Sequence, residues 1–302
     1  MANPVVALAG ASGDLGFRIA RALIDRGAHV RALVRSDVSP AERTRLEAVG
    51  LDLTEVHPRN RDALASACAG STCVVSALNG VHDVMIDRQG VLLDAAVQAH
   101  VPRFIPSDFS ADFTQTAPGQ NRNFDLRREF MALADKTPIK VTSIFNGAFL
   151  DMLGAEMPII QRRIHRVLYW HDADQLLDFT TKDDVAAYTA AAALDEATPR
   201  ILRIAGDSVS VRDIAATMSE VSGERYRPLW VGSLDSLGIM IRIAKAIAPQ
   251  PDAPFTAWQG MQYMRDQFSG RVKLTSLDNA RYAGLVWTSV HGHLATLDWA
   301  RA

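Results

Sequence analysis

Short apolar runs alternate with longer amphipathic stretches through the first half of this chain. The runs at 5–9, 30–34, 52–56, 73–78, 104–105 and 140–145 read as strands, because turn residues or polar stretches bound them. The stretches at 14–26, 40–49, 61–69, 84–99 and 124–134 repeat their apolar positions at helical spacing and read as helices. Strands alternating with helices of this length predict βαβ units. The fold class that follows is α/β, a Rossmann-type doubly wound parallel sheet with right-handed crossovers. Ligands bind beyond the carboxyl ends of the strands in such sheets. Here those ends fall at residues 10–16, 35, 57, 78–79, 106–109 and 146–149.

The first strand runs into Gly10-Ala11-Ser12-Gly13-Asp14-Leu15-Gly16, a G-x-x-G-x-x-G turn followed at once by a helix pattern. Gly10 permits a sharp turn, Gly13 lets backbone approach a pyrophosphate, and Gly16 lets the helix pack closely on the strand. Unpaired N–H groups and the helix dipole favour an anion there, with Ser12, Asp14 and Leu15 completing the cradle. The second strand ends in Arg35. A site for NAD usually has Asp or Glu at this point, whereas Arg suits a 2′-phosphate, so NADPH is the expected cofactor.

The second half changes character. A turn cluster at 172–175 precedes a strand at 176–179 and a helix at 183–194 that Thr181 or Asp183 can cap. A strand at 201–205, a helix at 210–222 and a strand at 229–231 follow. The stretch 237–248 reads as an amphipathic helix on the surface or lining a cleft, with Arg242 and Lys245 interrupting its apolar run. Helical stretches around Trp258, Tyr263, Trp287 and Trp299 complete the chain. Two regions are expected. Residues 1–150 form a dinucleotide-binding domain, and residues 151–302 form a smaller α+β substrate-binding region packed over the strand ends.

Composition narrows the function classes. The 302 residues are 48% hydrophobic, enough for a substantial core, and the net charge of -2 gives no long-range pull toward nucleic acid or anionic membrane. No signal peptide and no run of about 18 apolar residues is evident, so a cytoplasmic protein without membrane segments is expected. Cys68 and Cys73 lack metal-ligand spacing and read as buried free thiols in a reducing compartment, with a disulfide as the alternative. No metal site is expected, and the chain reads as a monomer or homodimer acting on a small molecule.

Three further segments carry a resemblance. They are Val101-Pro102-Arg103-Phe104-Ile105-Pro106-Ser107-Asp108-Phe109, Ile144-Phe145-Asn146-Gly147-Ala148-Phe149, and the helix start Thr181-Lys182-Asp183-Asp184-Val185-Ala186. With the glycine turn and Arg35, their order and spacing over roughly residues 5 to 230 resemble the NmrA-like and isoflavone-reductase-like branch of the atypical short-chain dehydrogenases. The resemblance implies an NADPH-dependent reductase that passes hydride from nicotinamide to a small, often aromatic or largely apolar, substrate. It equally includes members that bind the dinucleotide without chemistry and act as redox sensors. A sugar-nucleotide epimerase on the related extended fold is a third class.

Residue by residue, the resemblance places Leu78, Asn79, Gly80, Ser107, Asp108 and Asn146 along the cofactor. Ser107 and Asp108 stand at the cleft mouth, and Phe109, Phe149, Met152 and Trp170 offer apolar substrate contacts. Family members that carry the Y-x-x-x-K pair use Tyr as proton donor and Lys to hold the ribose. Aligned on Phe124, this chain has Asn123 at the Tyr position and Arg127 at the Lys position. Arg127 is the expected ribose ligand and stabiliser of a developing oxyanion, but a guanidinium is a poor proton donor. His82, after the fourth strand, is the candidate acid, since imidazole titrates near neutral pH.

Overall fold

The computed structural model describes residues 3–154 and 157–299. Six parallel strands make the central sheet: β1 (Val5–Ala9), β2 (His29–Val34), β3 (Asp52–Glu55), β4 (Cys73–Ser76), β5 (Arg103–Ile105) and β6 (Lys140–Val141). Their order is β3-β2-β1-β4-β5-β6, the arrangement expected of a doubly wound Rossmann-type sheet. Helices α1 (Asp14–Asp25), α2 (Pro40–Glu47), α3 (Arg61–Cys68), α4 (Gln89–Gln98) and α5 (Arg122–Ala134) connect them.

Both faces of the sheet are covered, which explains why its strands are apolar at successive positions rather than alternately. Val6 and Leu8 of β1 point into one cluster with Ile19, Ala20 and Leu23 of α1. Ala7 and Ala9 point the other way, with Leu64 of α3, Leu92 of α4 and Phe130 of α5. Helix starts follow the sequence closely. Ser39 caps α2 with Pro40 in its first turn, Asn60 caps α3, and Asn121 caps α5.

Two departures have clear causes. The single strand expected at 140–145 divides at Thr142, because its pairing changes sides. β6 pairs with β5, whereas β7 (Ser143–Phe145) pairs in parallel with β12 (Ile201–Arg203). The helix expected at 84–99 opens with a π-helical turn, Asp83–Arg88, before regular α4 begins.

The remainder is built on a second core. Short strands β8 (Ala148–Phe149), β9 (Ile160–Gln161), β10 (Arg166–Trp170), β11 (Leu177–Thr180), β13 (Asp207–Val209) and β14 (Arg227–Gly232) form two three-stranded sheets. Helices α6 (Lys182–Leu194), α7 (Val211–Ser222), α8 (Leu234–Ile247), α9 (Ala257–Phe268) and α10 (Val290–Ala295) accompany them. Trp170, Phe179, Met218 and Phe268 are buried in its centre.

The boundary expected at residue 150 is crossed twice. α6 packs along α1, with Val185 and Tyr188 in the same cluster as Val6 and Leu8, and β12 pairs with β7 in a separate two-stranded sheet. α1 must bury its apolar stripe against another layer, and α6 supplies that layer from the far half of the sequence. No helix among the described residues is long and apolar enough to cross a membrane. Cys68 and Cys73 are free and buried, and burial pushes their thiols up to about 11 and about 12.

Candidate functional site

Because the strands are parallel, the segments after β1, β2, β4, β5 and β7 gather along one edge of the sheet. The first is the glycine turn. Gly10 adopts φ +86, and a Cβ on it would lie 2.6 Å from the Ala77 carbonyl oxygen. A Cβ on Gly16 would lie 2.0 Å from the Gly10 oxygen. Only hydrogen fits at either position. Gly13 donates its N–H to the Gly10 carbonyl at 3.0 Å and is the N-cap of α1, so no side chain caps that helix. The first-turn N–H groups of α1, unlike those of α2, α3 and α5, are thus left without a side-chain acceptor.

Asp14 does not turn toward this opening. Its carboxylate accepts from Lys182 Nζ at 2.8 Å and Arg18 Nε at 2.8 Å, and these bonds hold it below its ordinary range. Its backbone alone faces the turn. Arg35 is exposed beside Asp37, Nε to Oδ1 at 3.2 Å. A second cation, unremarked in the sequence, stands nearby. Arg45 of α2 donates to the Ser12 carbonyl at 2.7 Å and stacks 4.8 Å over the Phe17 ring. A polar helix gives no hint of which of its arginines reaches the turn.

The ends of β4 and β5 are tied by Gln89, a fully buried residue. Its Oε1 accepts from Ser76 Oγ at 2.6 Å and from Ser107 N at 3.0 Å. Ser107 Oγ donates to the Leu78 carbonyl at 2.6 Å, so this hydroxyl braces the turn rather than standing free at the cleft mouth. Asn79 is exposed and Gly80 half-buried beyond it. The signal for Gln89 was a polar residue on an otherwise apolar helix stripe.

Asp108 corrects its expected position at the mouth. It is fully buried, its Oδ2 accepting from Ser143 Oγ at 2.6 Å while Oδ1 accepts from no protein donor. Burial pushes its carboxyl up to about 6 from 3.8, against the Ser143 bond and the charges of Arg127 and Arg200. The folded state therefore binds this proton more tightly than the unfolded chain. The resulting stabilisation is complete below pH about 4 and is lost as pH rises through about 6, a fall of about 3 kcal/mol. Asp108→Asn, neutral throughout, is expected to gain on the wild type by that order between pH about 4 and about 7.5. Denaturant unfolding at both pH values measures it, and parallel pH dependence in the two proteins would rule the account out.

Arg127 lies on α5, buried, with Nη1 donating to the Asn123 carbonyl at 3.1 Å and Nε without a protein acceptor. Asn146 is also buried, its Oδ1 unpartnered. Its backbone is pinned by the Ser110 carbonyl at 2.8 Å and by Thr180 Oγ1 at 2.7 Å. Gly147, at φ +68 with a Cβ position 2.4 Å from the Asp178 carbonyl, forces the turn that sets Asn146 there.

The apolar residues divide. Phe149 and Met152 are half-buried. Phe109 is part of the core between the sheet and α6, and Trp170 packs on Phe268 with ring centroids 5.7 Å apart. Neither of these last two forms an open wall. His82 is exposed, between Asp87 at 3.7 Å and Glu129 at 3.9 Å. No cluster suited to a metal ion occurs among the described residues.

A family model described as the NmrA-like family matches residues 2–241. The chain belongs to the NmrA-like family. Among family relatives, pinoresinol reductase 1 of Arabidopsis thaliana is 26% identical over 201 residues, covering 61% of this chain and 63% of that protein. The bifunctional pinoresinol-lariciresinol reductase of Linum perenne is 25% identical over 256 residues, 78% of this chain and 80% of that one. A solved structure, AtPrR2 with NADP+ and (+)pinoresinol, matches with a TM-score of 0.80 at 19% identity, over 98% of this chain and 99% of the other. At that identity the likeness establishes a shared fold, one that extends over more of the chain than the family match at 2–241.

Proposed function

We propose that this NmrA-like protein is an NADPH-dependent reductase of the atypical short-chain dehydrogenase type, acting on a small phenolic or otherwise largely apolar aromatic molecule. One observation carries the cofactor: the uncapped start of α1 sits behind two glycines that no side chain can replace. Arg35 and Arg45 flank it with charge suited to a 2′-phosphate. Its relatives' names supply the reductase and the phenolic substrate class.

NADPH, when bound, supplies the hydride. The backbone of residues 10–16 would hold the pyrophosphate, and Asn79, Gly80 and Asn146 would border the nicotinamide half. Arg127, with a free Nε in a buried setting, would orient the ribose and stabilise negative charge on the substrate oxygen. A guanidinium does not release its proton near neutral pH, so proton delivery falls to His82, which remains open to solvent.

A non-catalytic dinucleotide sensor is favoured by one fact. The residues at the positions of the catalytic Tyr and Lys, Asn123 and Arg127, are both poor acids. Fluorescence titration with NADPH and NADH, followed by absorbance near ~340 nm with phenolic ethers, enones and quinones, separates the two. Substrate-dependent loss of absorbance identifies the reductase; tight binding without turnover favours the sensor. Arg35→Ser is expected to weaken NADPH by roughly tenfold to a hundredfold and NADH hardly at all. Equal losses for both would remove Arg35 from 2′-phosphate recognition.

A further inference from the structure

The segment 249–254 joins α8 to α9 and contains Pro249, Pro251 and Pro254. Prolines have no N–H to donate, so the strap offers mainly carbonyls and has little means of holding itself. Its internal backbone bond is Ala253 N to the Gln250 carbonyl at 3.2 Å.

The first residues of α5 hold it instead. Arg122 donates from Nη2 to the carbonyls of Ala253 at 2.8 Å and Pro254 at 2.9 Å, and from Nη1 to Pro251 at 3.3 Å. Its Nε donates to Asn123 Oδ1 at 3.1 Å, and Asn123 Nδ2 donates to the Pro254 carbonyl at 3.0 Å. Trp258 closes the arrangement. Its Nε1 donates to the Pro249 carbonyl at 3.1 Å, and its ring lies under Arg122 at 4.8 Å and Lys245 at 5.2 Å. A planar guanidinium meeting three carbonyls and a ring is a geometry that lysine cannot reproduce.

The place of this clasp matters. Asn123 stands where the Y-x-x-x-K pattern has its acid, and its amide is spent on the strap. Its carbonyl accepts from Arg127 at 3.1 Å, one helical turn further on. Immediately after Pro254 comes Phe255, a large aromatic residue 57% exposed.

We propose that Arg122 and Asn123 clasp the 249–254 strap across the first turn of α5, and that the strap so held presents Phe255 as an aromatic wall for the substrate beside Arg127. Arg122 is thus a positioning residue and Phe255 a specificity-determining one. The wall rests on the reductase reading; the clasp does not.

The test combines amide hydrogen exchange across 249–256, NADPH titration, and steady-state kinetics with a phenolic substrate. Arg122→Gln is expected to speed exchange in the strap by roughly tenfold or more, and Arg122→Lys by less. NADPH affinity should stay within about twofold in both. In Arg122→Gln and Phe255→Ala, KM for the phenolic substrate should rise by roughly tenfold, more than kcat falls. Should Arg122→Gln not fold, Asn123→Ala, which removes a single strap bond, carries the same reading. Unchanged exchange overturns the clasp. A KM unmoved in Phe255→Ala overturns the wall. If the wild type reduces no phenolic substrate, the reductase reading and the wall fall together, while exchange still decides the clasp.

Discussion

Gly16→Ala is expected to abolish measurable NADPH binding and to destabilise the fold by about 2–3 kcal/mol. Its new methyl would sit 2.0 Å from the Gly10 oxygen and 2.7 Å from the Gly10 carbonyl carbon, both backbone atoms. Backbone cannot swing aside as a side-chain tip can, so α1 must slide away from β1 and take its N–H groups with it. Gly13→Ala is the control. Its Cβ would meet the Gly10 oxygen at 3.4 Å, an ordinary contact, at a φ of -74 that alanine adopts freely. That variant should fold like the wild type and lose affinity only through crowding of the ligand. Denaturant unfolding and fluorescence titration read the two effects separately. Wild-type NADPH affinity in Gly16→Ala would sink the phosphate cradle.

Arg127→Met should lower kcat for any substrate the wild type reduces by roughly a hundredfold to a thousandfold, the usual effect of losing one preorganised charge stabiliser. NADPH affinity should fall by less than about tenfold, since in the proposed site the glycine turn and Arg35 would carry most of that binding. Arg127→Lys restores a cation of the kind that the Y-x-x-x-K pattern places here, and should recover much of the lost rate. The variant also withdraws a positive charge acting on the buried carboxyl of Asp108, so that carboxyl should bind its proton still more tightly. Infrared or NMR titration of the Asp108 carboxyl would register the change. Unchanged turnover in Arg127→Met would remove its role in catalysis.

The first half of the fold was legible because its signals are local. Strand runs, amphipathic stretches and the glycine turn each declare themselves within a few residues. What escaped depends on partners far along the chain. β8 and β9 are two residues long and have no periodicity to read. β10 is defined by pairing with β14, more than fifty residues later. The same limit applied to side-chain direction. Phe109 and Trp170 are apolar aromatic residues, and nothing adjacent says whether they face a cleft or a core. Asp108 looked like a rim residue until its N–H, donating to the Pro106 carbonyl at 2.8 Å, turned it inward toward Ser143. Arg45 and Arg122 act on carbonyls that the sequence places elsewhere.

The crossing of β12 and α6 into the first half bears on how such a protein can be rearranged. A recombinant chimera that takes residues 1–150 from one relative and the rest from another separates elements that pair and pack across the cut. It would pair one parent's β7 with the other parent's β12. It would also ask α1 of one to accept α6 of the other, across the Asp14–Lys182 and Arg18–Asp183 ion pairs. Residues 182–203 thus have to travel with the glycine turn and β7, and an exchange of the remaining loops keeps these contacts where an exchange of halves breaks them.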